Sequence, residues 1–167
     1  RRSSISESSG SALRPLRAED SEAFFAAVEE MRTTDPDWEF ALGYEKGLAF
    51  GEYVRRLEAW GRGEELPARF VPGWFLVGVR AGKIVGRVSI RHLLNARLSS
   101  VGGHIGYGVV PSERRRGLAT EMLRRALVLC RRDLGLGRVL VTCEDSNEGS
   151  RKVIERCGGL FDGFASE

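Results

Sequence analysis

Gly103-His-Ile-Gly-Tyr-Gly-Val-Val-Pro-Ser-Glu-Arg-Arg-Arg-Gly-Leu-Ala-Thr120 decides the reading of this chain. Its first half is apolar and interrupted by glycines, which predicts a strand from Gly103 to Val110, closed by Pro111. Three arginines, Arg114 to Arg116, follow, and Gly117 leads into a helix expected to run to about Leu134. Ala119, Met122, Leu123, Ala126, Leu127, Cys130 and Leu134 recur on one face of that helix. A strand, a turn rich in backbone N–H groups and a helix N-terminus together form a site for phosphate-like anions.

Upstream, Gly73-Trp-Phe-Leu-Val-Gly-Val79 and Ile84-Val-Gly-Arg-Val-Ser-Ile90 are apolar runs joined by Arg80-Ala-Gly-Lys83, a hairpin signature. Arg91 to Gly102 reads as an irregular connection with room for one helical turn. Nearer the start, Ala12 to Arg17 reads as an edge strand. Phe24, Val28 and Met31 mark a helix to about Arg32, and Phe50, Val54 and Leu57 a second from about Tyr44 to Trp60. Downstream, Arg138 to Cys143 is expected to be a buried strand. Because a helix separates it from the strand at 103–110, the pair predicts a parallel β-α-β unit. Asp145-Ser-Asn147 caps a last helix to Cys157, and Phe161 to Phe164 begin a final strand. The order β-α-α-β-β-β-α-β-α-β predicts one α+β domain over 12–167, with a mixed, mostly antiparallel sheet and helices on both faces.

The 167 residues are 42% hydrophobic and 29% charged, the balance of an ordinary globular domain. No apolar run approaches the roughly 18 residues of a membrane span. Residues 1–11 are Ser-rich without an apolar segment and read as a disordered tail or expression remnant. Cys130, Cys143 and Cys157 are odd in number and widely spaced, which argues against a disulfide framework or a metal site and fits the cytoplasm. The net charge of +3 is unevenly spread. Residues 18–65 carry thirteen acids against five bases, and residues 113–138 carry eight arginines against three acids. A basic cradle suits an anionic cofactor, and an acidic front suits a cationic substrate. The arginines of the cradle helix fall around it rather than along one stripe, which argues against nucleic acid.

Among phosphate-binding patterns, Gly-Lys-Ser/Thr is missing, and Gly103, Gly106 and Gly108 lie inside the strand, where a dinucleotide fingerprint would not put them. Arg114-Arg-Arg-Gly-Leu-Ala119 instead fits the pattern Gln or Arg, two residues, Gly, one residue, Gly or Ala. Here the chain resembles the GNAT superfamily of N-acetyltransferases, over roughly residues 12–162. The strings Arg91-His-Leu-Leu-Asn95, Gly103-His-Ile-Gly-Tyr107 and Ser150-Arg-Lys-Val-Ile-Glu155 further resemble a bacterial subgroup of predicted acetyltransferases.

The resemblance implies acetyl-CoA as co-substrate, no metal, and direct transfer to an amine of a small molecule or peptide. It implies that the pyrophosphate sits on the turn Arg114, Arg115, Arg116, Gly117, Leu118, Ala119 and Thr120. Pantetheine would pair with Gly108, Val109 and Val110, with the Val109 N–H holding the oxyanion. Asn147, Ser150 and Ile154 match positions along the pantetheine arm. His104 stands where many relatives carry a Glu base, with His92 or a water relay through Glu144 or Glu29 as alternatives. The family's thiol-protonating Tyr slot is Ile154, which leaves Tyr107 or water as the acid, or a thiolate that departs unassisted. That departure keeps open a catalytically silent acyl-CoA-binding domain. The acceptor site would be lined by Glu29, Glu30, Trp38, Phe40 and Trp74. The family's further strand after Glu167 would be disordered, deleted or supplied by a homodimer partner.

Overall fold

The computed structural model describes residues 11–165. The hairpin forms where the two apolar runs predict it: β2 spans Gly73–Arg80 and β3 spans Lys83–Arg91. The edge strand β1, Ala12–Pro15, pairs antiparallel with β2. β4, Ile105–Val109, pairs antiparallel with β3 on the other side. The sheet order is therefore β1-β2-β3-β4, with β4 at an edge.

Helices cover both faces. On one face lie α1, Ser21–Arg32, and α2, Phe50–Gly61. Phe24 of α1 is fully buried, with its ring 5.7 Å from Phe40, 6.0 Å from Tyr53 and 6.2 Å from Phe75. One side chain thus links α1, the following loop, α2 and β2. The start of α1 is fixed by Asp20, which accepts from both Arg14 Nη atoms and from the Arg17 N–H. α2 begins later than its periodicity predicts. Gly47 has φ of +89°, which breaks helical winding, and residues 44–49 are irregular, with one turn at 46–47. α3, Ala96–Ser100, is the single turn foreseen in the connection, capped by Asn95 Oδ1 accepting from Leu98 N–H.

On the opposite face α4, Leu118–Arg132, buries Leu118, Met122, Leu123, Ala126 and Cys130 against β3 and β4. α5, Glu148–Arg156, packs beside it through Val153, Ile154 and Cys157. α4 lies close to the sheet because the sheet has glycines beneath it. A Cβ at Gly78 would meet the Met122 Sδ at 2.6 Å, and one at Gly86 would meet its Cε at 3.0 Å.

Two strand expectations are corrected. Residues 138–143 do not form a strand parallel to β4. Their one β-bridge among the described residues is antiparallel, between Gly103 and Val141. The chain turns at Gly102 and Gly103 before β4 begins, so the segment meets that turn and no ladder of β4; among the described residues no strand lies on its far side. The described sheet is accordingly antiparallel throughout. Residues 161–164 form no strand; Phe161 and Phe164 are exposed, with their rings 5.2 Å apart. The tail expected at 1–11 lies outside the described residues except for Ser11, which is buried, its carbonyl held by Arg125.

The close approach at Gly86 yields a test. A Cβ there would also sit 2.4 Å from the Gly108 carbonyl oxygen, which is backbone and cannot yield. Gly86→Ala is expected to destabilise the fold by about 1–3 kcal/mol, read from urea unfolding midpoints.

Candidate active site

The turn between β4 and α4 is built from alternating backbone hands. Arg115 has φ of +62° and Gly117 of +77°, with Arg116 between them outside the left-handed region. Such alternation turns successive N–H groups to one side. Gly117 is the N-cap of α4, and Glu121 N–H is the first to bond back to it, at 3.0 Å. The N–H groups from Arg115 to Thr120 have no acceptor among the described residues. A Cβ at Gly117 would have nothing within 4 Å, so the cradle is open to a ligand there. These donors, the helix dipole and this opening fit a pyrophosphate.

The three arginines behave differently from one another. Arg114 turns inward: Nε donates to the Val109 carbonyl at 2.9 Å, and Nη2 reaches Asp35 Oδ2 at 2.7 Å and Met31 Sδ at 3.4 Å. Arg116 pairs with Glu113 at 3.3 Å. Arg115 has no ion pair among the described residues, so its charge is the one left for an incoming anion.

β4 supplies a free edge beside this turn. Val110 N–H bonds the Val85 carbonyl, and antiparallel alternation then sends the N–H groups of Val109 and Tyr107 outward. Gly108 faces α1, and a Cβ on it would lie 2.7 Å from the Trp38 ring. Tyr107 Oη lies 2.7 Å from Ser150 Oγ, across from β4 to the first turn of α5. Burial pushes the Tyr107 phenol up, so it keeps its proton. Asn147 caps α5, its Oδ1 accepting from Ser150 N–H at 3.0 Å. Ile154 packs into the α4–α5 core, against Gly159.

His104 is engaged in a way its position in the sequence does not reveal. Its backbone N–H donates to the Leu140 carbonyl at 2.8 Å, and its Nδ1 accepts from Leu140 N–H at 3.0 Å. The neutral ring therefore carries its proton on Nε2 and has no free lone pair for a base. His104 clamps the 138–142 segment to the start of β4. His92 stacks edge-on against Trp74 at 4.5 Å, at the far end of β3. The expected acceptor lining does not converge. Phe40 is core, Glu29 is exposed and pairs with Arg32, Glu30 accepts from Ser112 N–H, and Trp74 belongs to the His92 end.

An antiparallel sheet, a turn of unpaired N–H groups at the N-terminus of the helix that follows β4, and a free β4 edge are in keeping with an acyltransferase of the GNAT type. The GNAT acetyltransferase domain model matches residues 12–159, and the chain belongs to that family. Among solved structures, RimL, a ribosomal L7/L12 alpha-N-protein acetyltransferase in complex with coenzyme A, superposes with a TM-score of 0.68. It is 16% identical, over 95% of this chain and 85% of that one. The ribosomal-protein-S5-alanine acetyltransferase of Vibrio fischeri gives 0.62 at 17% identity, over 94% and 83%. An acetyltransferase of Agrobacterium tumefaciens gives 0.61 at 20% identity, over 99% and 92%. At these identities the likeness is one of fold. No curated protein matches the chain.

The His104 clamp has a pH signature. Burial, and then the nearby Arg91 guanidinium, hold its imidazole below the ordinary value of 6.5. The unfolded chain binds this proton more readily than the folded one, so stability falls as pH drops through 6.5 towards the folded value. His104→Asn is expected to flatten the stability loss between about pH 7 and pH 5. Urea midpoints across that range check it; a slope equal to that of the wild type would mean the ring is not held dry by the clamp.

Proposed function

We propose that this protein transfers an acetyl group from acetyl-CoA to a primary amine of a small molecule or peptide, in a ternary complex and in the cytoplasm. The observation that carries the reading is the open turn around Gly117, with its unpaired N–H groups, beside the free edge of β4. Acetyl-CoA supplies a thioester: the amine nitrogen bonds to its carbonyl carbon, the carbon–sulfur bond breaks, and the products are an amide and the CoA thiol.

The chain's own residues divide the work. N–H groups from Arg115 to Thr120 bind the pyrophosphate, with Arg115 adding charge. Gly108, Val109 and Val110 line the pantetheine, and the Val109 N–H stabilises negative charge on the carbonyl oxygen. Tyr107, oriented by Ser150, gives its proton to the departing sulfur and regains one from solvent. It takes over the part that Ile154 cannot play. Asn147 holds the first turn of α5, and with it Ser150, against this site. The proton of the attacking amine leaves to water, since the Nδ1 of His104 is occupied by Leu140.

Two variants test the reading. Gly117→Asp puts a carboxylate into the cradle at a left-handed position; it is expected to abolish the rise in Tm that acetyl-CoA causes in the wild type. A retained rise would remove the cradle assignment. Tyr107→Phe is expected to lower kcat by on the order of 10²-fold with acetyl-CoA affinity unchanged, measured by thiol release over a panel of amines. Acetyl-CoA binding without thiol release from any amine would favour the silent-domain alternative instead.

A further inference from the structure

Among the described residues two charged side chains are buried, Asp20 and Arg87. Asp20 has its counter-ion in Arg14 at 2.7 Å. Arg87, only 3% exposed, is in no ion pair among these residues. Its Nη1 donates to Ser89 Oγ at 2.7 Å and its Nη2 to the Glu39 carbonyl. Its Nε is buried without a partner. The guanidinium lies 4.0 Å over the Trp38 ring and 5.6 Å from that of Phe75. The Tyr53 hydroxyl donates elsewhere, to the Leu42 carbonyl. Every partner is neutral, and burial pulls the Arg87 pKa down to about 9.

Such an arrangement is poor for stability. A buried cation without an anion costs several kcal/mol in desolvation, and an apolar side chain of the same volume would serve the core better. The surroundings are instead those of a binding site with its cover shut. Arg87 stands opposite Gly108 in the β3–β4 register, on the face that bears Trp38. It is therefore one strand, about 4.8 Å, from the backbone assigned above to the thioester. The two groups that cover it, the Trp38 ring and the Glu39 carbonyl, come from one loop. Glu39 also lines a cavity of about 570 Å³ with Tyr44, Arg55, Arg69 and Phe70, so the residue whose carbonyl covers the guanidinium borders open space as well.

We propose that Arg87 is an anion anchor for the acceptor: the amine substrate carries a carboxylate, which takes the Nε and Nη2 donors of Arg87 when Trp38 and the Glu39 carbonyl move off them. A planar guanidinium with an unused Nε is matched to a carboxylate, which accepts two parallel N–H bonds. The anchor reverses the expectation of a cationic acceptor drawn from the acidic front of the chain. The aromatic wall formed by Trp38 and Phe75 is already occupied by the protein's own cation. The nature of the amine rests on the acetyl-transfer reading above; the carboxylate does not.

The test uses matched pairs of ω-amino acids and their carboxamides, from β-alanine to 6-aminohexanoate, added to the CoA-loaded protein. The carboxylate member of at least one pair is expected to raise the Tm of the wild type while its amide does not, and neither is expected to raise that of Arg87→Met. Equal responses to acid and amide, or no response to any acid at about 100-fold the usual millimolar upper range of KM, would overturn the anchor. This comparison is made within the wild type, so it stands even if Arg87→Met fails to fold. Thiol release separates the two readings. Carboxylate binding without turnover keeps the anchor and removes the transferase; turnover of acid and amide at equal kcat/KM keeps the transferase and removes the anchor.

Discussion

The close contact of β3 with β4 at Gly86 and Gly108 is the constraint on which the rest of the molecule depends. With no Cβ at Gly86, Met122 seats α4 against one face of the sheet; with none at Gly108, Trp38 seats its loop against the other. The helix so held presents its N-terminus beside the β4 edge, and the loop so held covers Arg87. The proposed cofactor cradle and the proposed acceptor face are thus positioned from opposite sides of two neighbouring strands. Larger residues at either glycine would push one layer away from the sheet and separate the groups that must meet.

The electrostatics of the cradle come from backbone more than from side chains. Three arginines in a row suggest a basic claw, yet Arg114 is spent on Asp35, Met31 and the Val109 carbonyl, and Arg116 on Glu113. What remains is a row of N–H groups fixed by two left-handed residues and the start of a helix. Those dipoles are preorganised and need no side-chain ordering when an anion arrives. Arg114 does something else: it rivets the loop after α1 to the end of β4, so the residues around Trp38 and those around Gly117 share one fastening.

Much of this was legible in the chain. The hairpin, the amphipathic α4, the Asn147 cap and the Gly117 turn each rest on short-range chemistry, and all four appear in the structure. The failures share a cause. Residues 138–143 have the composition of a buried strand, but strand formation needs a neighbour in register, and composition does not say whether one is there. His104 has the right residue type for a base, but whether its lone pair is free depends on Leu140, thirty-six residues away. Phe40 and Trp74 looked like a pocket lining because aromatics serve cores and sites equally. Arg87 does not stand out in the sequence, because a single arginine in an apolar strand has no local signature. One clue was present: a charged residue in the middle of Ile84-Val-Gly-Arg-Val-Ser-Ile90 breaks an otherwise buried run.

The dry guanidinium also bears on how the native state breathes. Closing Trp38 and Glu39 over Arg87 strips a cation of water, and lifting them restores its hydration. That refund lowers the free energy of local opening in this segment relative to segments whose contacts are all apolar. The amides of residues 38–40 should then exchange with solvent through partial opening, while those of β3 beneath them wait for the whole sheet to come apart. The same charge that weakens the fold in bulk terms concentrates its weakness at one site, next to the strand edge where the chemistry is proposed.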